Sequence, residues 1–295
     1  MGHLTDAEGT LHQRMREIDV AQITDAVAEM SRRSNVELPA DVIAALQEAR
    51  EREESAIARE VLDQLLLNAE RAEATGLPLC QDTGLAIVFV DLGQDVHLVG
   101  GELQAAVDAG VRRGYEEGYL RKSVVRDPLD RSTNTGDNTP AIMHLRLVPG
   151  DRVTVHFAPK GGGSENMSGL WMLTPAQGRQ GVVEAIAAQV AAAGGMPCPP
   201  VVLGIGLGGT FELSALLSKR ALFRPLGEPS PEEDVAQLER DVLAAVNATG
   251  VGPMGLGGRT TALAVHIERH PCHIASLPLA LNVQCHAARH MTMVL

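Results

Sequence analysis

GGMPCPPVVLGIGLGGTFE, residues 194–212, sets a short apolar and β-branched run between Pro199-Pro200 and a cluster of glycines. A run of this length bounded by turn residues reads as a buried strand over VVLGIG. Upstream, residues 178–193 carry apolar side chains at three- and four-residue spacing, and a second helical pattern runs from about 210 to 220, giving an αβα order. Farther out, LAIVFVDLG (85–93) is another buried-strand candidate. AIMHLRLV (141–148) and RVTVHFAP (152–159) read as two strands joined at Pro149-Gly150 in a hairpin. Helices are expected over 102–118 and through DVAQLERDVLAAVNA, and residues 10–34 and 40–75 have the periodicity of two amphipathic helices. These elements predict an α+β fold, a mixed-sheet core with an N-terminal helical region. The expected division is a helical region over 1–76 and one continuous core over 77–295.

Composition narrows the function. A formal charge of −12 would repel phosphate backbones and anionic lipid, which argues against nucleic-acid and membrane partners. Aromatic residues make up 2% of the chain, too few for base-stacking platforms. The start MGHLTDAEGTLHQRMREIDV lacks an apolar core of signal-peptide length, and no stretch has membrane-span hydrophobicity, so a soluble, cytoplasmic chain is expected. An anionic substrate would then need local cations or helix N-termini to overcome the global charge.

Four segments concentrate chemistry. Cys80, Gln81 and Asp82 crowd one turn in PLCQDTG, pairing a metal-ligating thiol with a carboxylate able to move protons; as structure alone they are ordinary turn residues. In KGGGSEN (160–166), Gly162 and Gly163 let backbone N–H groups approach an anion. Gly204-Ile205-Gly206-Leu207-Gly208-Gly209 fits G-x-G-x-x-G between strand and helix, the pattern of a dinucleotide-binding protein. Against that rival stand the position of Glu228 in a Pro-rich segment and the absence of an early βαβ unit. Finally, His266, Glu268 and His270 fall on one strand face, where solvated edge polarity is preferred over a zinc-like site. The four cysteines, Cys80, Cys198, Cys272 and Cys285, show no CxxC pair, and spacing alone leaves them as buried small hydrophobes or as ligands gathered from distant segments.

Taken in order, CQDTG, GYLRKSVV, NTGDNTPA, KGGGSENMS, GIGLGGTFE and NVQCHAARH resemble the α subunit of two-subunit class I fumarate hydratases, and L-tartrate dehydratase α subunits look similar. The resemblance runs from about residue 40 to the C-terminus. It implies a [4Fe–4S] cluster on Cys80, Cys198 and Cys285, with one iron left open to the substrate and Cys272 left over, as a packing residue or as one merely near the site. It further implies that Gln81 contacts substrate, that Asp82 transfers protons together with His273, that Arg121 clamps a carboxylate, and that Gly162 and Gly163 cradle substrate or cluster.

In single-chain relatives a second domain follows the last cysteine and carries further arginines, a lysine and a threonine proposed as the base. This sequence stops ten residues after Cys285. The resemblance therefore implies a chain inactive alone, needing a separate β subunit to complete the active site in an α2β2-type assembly. The expected substrate is a small dicarboxylate. Fumarate hydration to L-malate is preferred over L-tartrate or mesaconate chemistry because KGGGSENMS and NTGDNTPA look like the fumarate hydratase version. An iron–sulfur binding or sensing module without catalysis is the non-enzymatic alternative.

Overall fold

The computed structural model describes residues 15–295 and the backbone of 4–5 and 11–12; the other N-terminal residues, part of the stretch read for a signal peptide and for the helix from residue 10, lie outside the described residues. Strands β1 (Leu4–Thr5) and β2 (Leu11–His12) pair antiparallel, and β3 (Arg16–Asp19) leads into helix α1 (Val20–Val36). Helices α2 (Ala40–Arg52) and α3 (Ala56–Thr75) follow, then β4 (Leu85–Gly93), β5 (Val96–Val99), α4 (Leu103–Glu117), β6 (Ile142–Val148) and β7 (Val153–Lys160). The remainder is α5 (Gly162–Glu165), β8 (Gly169–Leu173), α6 (Gly178–Ala193), β9 (Val201–Gly208), α7 (Phe211–Ala221), α8 (Glu233–Asn247), β10 (Ala262–His270), β11 (Leu277–Gln284) and β12 (Met291–Val294). No described helix is long and apolar enough to cross a membrane.

The chain forms two compact units: Met1–Asn35 with Thr83–Pro159 and His290–Leu295, and Val36–Asp82 with Lys160–Arg289. None of the boundaries between them falls at residue 76, because α1 belongs to the first unit while α2 and α3 belong to the second. In the first unit the strands lie in the order β12-β7-β4-β6, with β4 parallel to β6 and β12 antiparallel to β7. Ile23, Val27 and Met30 form the buried stripe of α1 and Val107, Val111 and Tyr115 that of α4; both join Val88, Val90, Val155 and Phe157 in one core. The hairpin expected at Pro149-Gly150 does not form, since β4 lies between β6 and β7. The turn instead closes over the end of β4, where the Gly93 N–H donates to the Arg152 carbonyl at 2.8 Å and a Cβ on Gly93 would stand 2.3 Å from the Gly150 oxygen.

The second unit carries the sheet β10-β9-β11-β8, parallel between β9 and β10 and antiparallel elsewhere. The helix expected over 40–75 is two helices. The buried Glu53 carboxylate accepts the N–H groups of Glu54 and Ser55 at 3.0 Å each and of Arg259 at 2.8 Å, and Ser55 caps α3 through the Ala58 N–H. The G-x-G-x-x-G pattern has a packing cause. Gly204 and Gly206 sit inside β9 rather than at its end, and Cβ atoms there would lie 2.1 Å from the Ser218 oxygen and 1.9 Å from the Ser214 oxygen of α7. Because α7 cannot move away without opening the core, Gly206→Ala should cost about 3 kcal/mol. The check is a lower urea midpoint at unchanged m-value. His266 is buried, which corrects the reading of His266, Glu268 and His270 as a solvated face. Glu268 pairs with Arg224 at 3.0 Å and His270 is exposed.

Candidate functional site

Cys198 lies three residues before β9, and β11 ends with Gln284 beside Val202, so Cys198 and Cys285 emerge at the same end of one sheet. The loops are tied directly. The His286 backbone N–H lies 3.3 Å and its ring Nδ1 3.0 Å from the Cys198 carbonyl oxygen. A carbonyl can only accept, so Nδ1 carries the proton. Arg289, 2% exposed, donates from Nη2 to the Asp82 carbonyl at 3.0 Å and brings in the Cys80 turn. At that turn the Asp82 N–H donates to the Cys80 sulfur at 3.4 Å and the Cys80 thiol faces Gln81 Oε1 at 3.3 Å.

The three thiols share one electrostatic environment. Burial raises the Cys198 thiol above its ordinary range, and the neighbouring Cys285 and Cys80 add to the rise. Burial also raises Cys285, opposed by the positive charges of Arg289 and Lys160. Burial pushes His286 below the usual imidazole range, which keeps the ring neutral.

Beside the cysteines lies a buried ion network. Lys160, 3% exposed, donates to Ser164 Oγ at 2.8 Å and pairs with Glu165 at 3.2 Å; Glu165 also pairs with Lys219 and accepts from Asn282 Nδ2 at 3.1 Å. Burial pushes the Lys160 ammonium down to about 8 against the attraction of Glu165. Burial alone would raise Glu165, but Lys160, Lys219 and the Asn282 amide outweigh it and hold the carboxyl at about 2. A carboxyl lowered on folding stabilises above its unfolded value near 4.5, and that contribution is lost as pH falls from there toward 2. Glu165→Gln should therefore flatten the acid limb of the stability curve. It should also cost on the order of 2 kcal/mol at neutral pH, toward the low side for breaking a buried pair because Glu165 is partly exposed. Urea unfolding across pH 2–7 provides the check.

Not every expected residue converges. Asp82 is at the site, its Oδ2 accepting the Gly162 N–H at 2.7 Å, so this N–H of the glycine turn is given to the protein's own carboxylate. Gln81 is exposed beside Cys80, and Gly163 lies next to the Met196 carbonyl of the Cys198 loop. Arg121 belongs to the first unit, where its carbonyl accepts from Thr83 Oγ1 at 3.0 Å. His273 is not brought to Asp82. It follows β10, whose end pairs with Gly208, the far end of β9 from Cys198, and strand geometry puts about 23 Å between the two ends. There His273 Nδ1 accepts the Ala275 N–H at 3.1 Å, and the exposed Cys272 thiol bonds to the Ser276 carbonyl. His286, Arg289, Lys160 and Glu165 sit inside motifs quoted above but received no role from sequence, and Lys219, in α7, lies in no motif.

The donor set is one that an iron–sulfur cluster can use. Three cysteines from three segments supply only sulfur, the donor iron–sulfur clusters use, with buried cations to offset thiolate charge. Among the described residues no group of three His, Cys, Asp or Glu is placed to hold one metal ion.

Residues 24–294 match the family model "Fumarate hydratase (Fumerase)". The chain is 42% identical over 275 residues to a Methanocaldococcus jannaschii protein named "Putative L(+)-tartrate dehydratase subunit alpha", covering 91% of this chain and 95% of that one. It is 29% identical over 277 residues to the Escherichia coli (strain K12) protein named "L(+)-tartrate dehydratase subunit alpha", covering 93% and 91% of the two chains.

Proposed function

From the premise that this chain belongs to the fumarate hydratase (Fumerase) family, and is a hydro-lyase α subunit, we propose that it dehydrates L-tartrate as half of a two-chain iron–sulfur enzyme. The observation that supports the cofactor is that the Cys285 loop is bonded both to the Cys198 loop and to the Cys80 turn, with Cys285 and Cys80 close enough to raise the Cys198 thiol. These residues would hold a [4Fe–4S] cluster. When bound, such a cluster supplies Lewis acidity toward a departing hydroxyl. Asp82 handles a proton at its carboxylate, which the Gly162 N–H fixes in orientation. Gln81, exposed beside Cys80, offers an amide to a substrate oxygen. Lys160, Lys219 and Arg289 supply the local positive charge that a −12 chain needs in order to admit a dianion.

The preference for fumarate formed on KGGGSENMS and NTGDNTPA gives way here, because the similar proteins carry the tartrate dehydratase name. Their "subunit alpha" designation supports a separate β partner, which we place in an α2β2 assembly. Anaerobic reconstitution with candidate β subunits, followed by assays on L-tartrate, L-malate, fumarate and mesaconate, tests the reading. A kcat/KM for L-tartrate exceeding that for L-malate by about tenfold or more is expected. The reverse ratio restores fumarate hydration, the reading supported by the family description. Activity of the isolated chain would remove the need for a partner.

A further inference from the structure

We propose that His286 and Arg289 are positioning residues, a two-point clamp that gathers the three cysteine loops before any iron is bound. The Cys285 loop is the common member. His286 reaches the Cys198 loop through two groups, its backbone N–H and its Nδ1–H, both aimed at the Cys198 carbonyl at 3.3 and 3.0 Å. Three residues on, Arg289 turns the other way and bonds the Asp82 carbonyl at 3.0 Å, two residues from Cys80. Its own N–H donates to the Ala287 carbonyl at 2.8 Å, which fixes where the side chain leaves the backbone.

The chain conformation shows why a clamp is needed. Cys198 has φ +56°, a left-handed conformation unfavourable for a side-chain-bearing residue, so neighbouring structure must hold it. The two hydrogen bonds to its carbonyl do so, and they come from the residue after the next cysteine in the set. Asp82 is held twice, by Arg289 at its carbonyl and by Gly162 at its carboxylate, which fixes both ends of the residue that follows the Cys80–Gln81 pair. A buried guanidinium is expensive to keep in a core unless it makes strong bonds, and here the bond joins two ligand loops. The arrangement divides the work: His286 sets the distance between Cys285 and Cys198, and Arg289 sets that between Cys285 and Cys80.

The inference rests on the reading that these thiols share one cluster, and its test separates the two. In the iron-free chain, disulfides formed by brief diamide treatment are mapped by mass spectrometry, a measurement of thiol proximity that needs no cluster. Arg289→Met should slow linkage of Cys80 to Cys285 by about tenfold more than it slows Cys198–Cys285 linkage, the weight of a charge-assisted hydrogen bond, because the loss of positive charge beside Cys285 slows both pairs alike and cancels in the ratio. His286→Ala should do the converse, slowing Cys198–Cys285 linkage by about fivefold. Arg289→Lys and His286→Asn, which keep a donor in place, should recover most of each rate and cover the case in which a truncating variant fails to fold. Equal slowing of both pairs, or no change in either, overturns the clamp. Iron and sulfide uptake by the same proteins, read as visible absorption, then reports on the cluster: normal thiol linkage in wild type without uptake would sink the cluster reading and leave the clamp standing.

Discussion

Cys80→Ser, Cys198→Ser and Cys285→Ser should each remove the broad visible absorption of the anaerobically reconstituted chain and lower hydro-lyase activity of the assembled enzyme by about a thousandfold or more, whereas Cys272→Ser should change neither. The size follows from losing Lewis-acid assistance to hydroxide departure, worth several kcal/mol, each 1.36 kcal/mol being about tenfold in rate. Selectivity follows from position. Cys198 and Cys285 leave the same end of the sheet, and the neighbouring Cys285 and Cys80 both add to the rise at the Cys198 thiol. Cys272 lies past the opposite end of β10, exposed and bonded to the Ser276 carbonyl. Serine keeps the size of the side chain but is a poor cluster ligand, so the folded apo chain should retain its thermal midpoint within a few degrees in all four variants. Loss of absorption in Cys272→Ser would overturn the ligand set.

Local signals were legible in the sequence and long-range ones were not. The strand Val201–Gly208 and the helix Gly178–Ala193 could be read because their apolar runs are bounded by Pro199-Pro200 and Gly194. The hairpin at Pro149-Gly150 could not be excluded, since the turn is genuine and only the insertion of β4 from earlier in the chain separates β6 from β7. The break between α2 and α3 depends on Glu53 reaching Arg259, a contact across 206 positions. The packing role of the G-x-G-x-x-G glycines has the same long-range character: Ser214 and Ser218 on α7 press on Gly206 and Gly204, and periodicity does not name those partners.

The site divides along the same line. Residues within motifs, Cys80 and Asp82 or Cys198 and Cys285, were singled out because resemblance supplied their context. Lys219 carries no local mark, yet it pairs with Glu165 and so belongs to the charge balance next to Cys285. His273 shows the opposite relation between sequence and space: a residue close in sequence to Cys285 is carried to the other end of the sheet because β11 runs between them.

Asp82→Asn should lower kcat of the assembled enzyme by roughly 10²–10⁴-fold while leaving KM and the visible spectrum near their wild-type values. Asparagine preserves the volume of the side chain and an oxygen that accepts the Gly162 N–H, so the bond at 2.7 Å and the orientation of the Cys80 turn survive. The Arg289 contact is to the backbone carbonyl and is unaffected by the substitution. What the amide cannot do is accept and return a proton, so the variant isolates proton transfer from positioning. Asp82→Ala removes both and should additionally destabilise the chain by about 1 kcal/mol through the lost hydrogen bond. If Asp82→Asn instead raises KM at constant kcat, the carboxylate serves binding alone, and the proton must be handled by a residue of the partner chain. Because the Gly162 N–H can hold the side-chain oxygen in both the wild type and the asparagine variant, a large kcat loss in the latter can be assigned to chemistry rather than to a displaced loop.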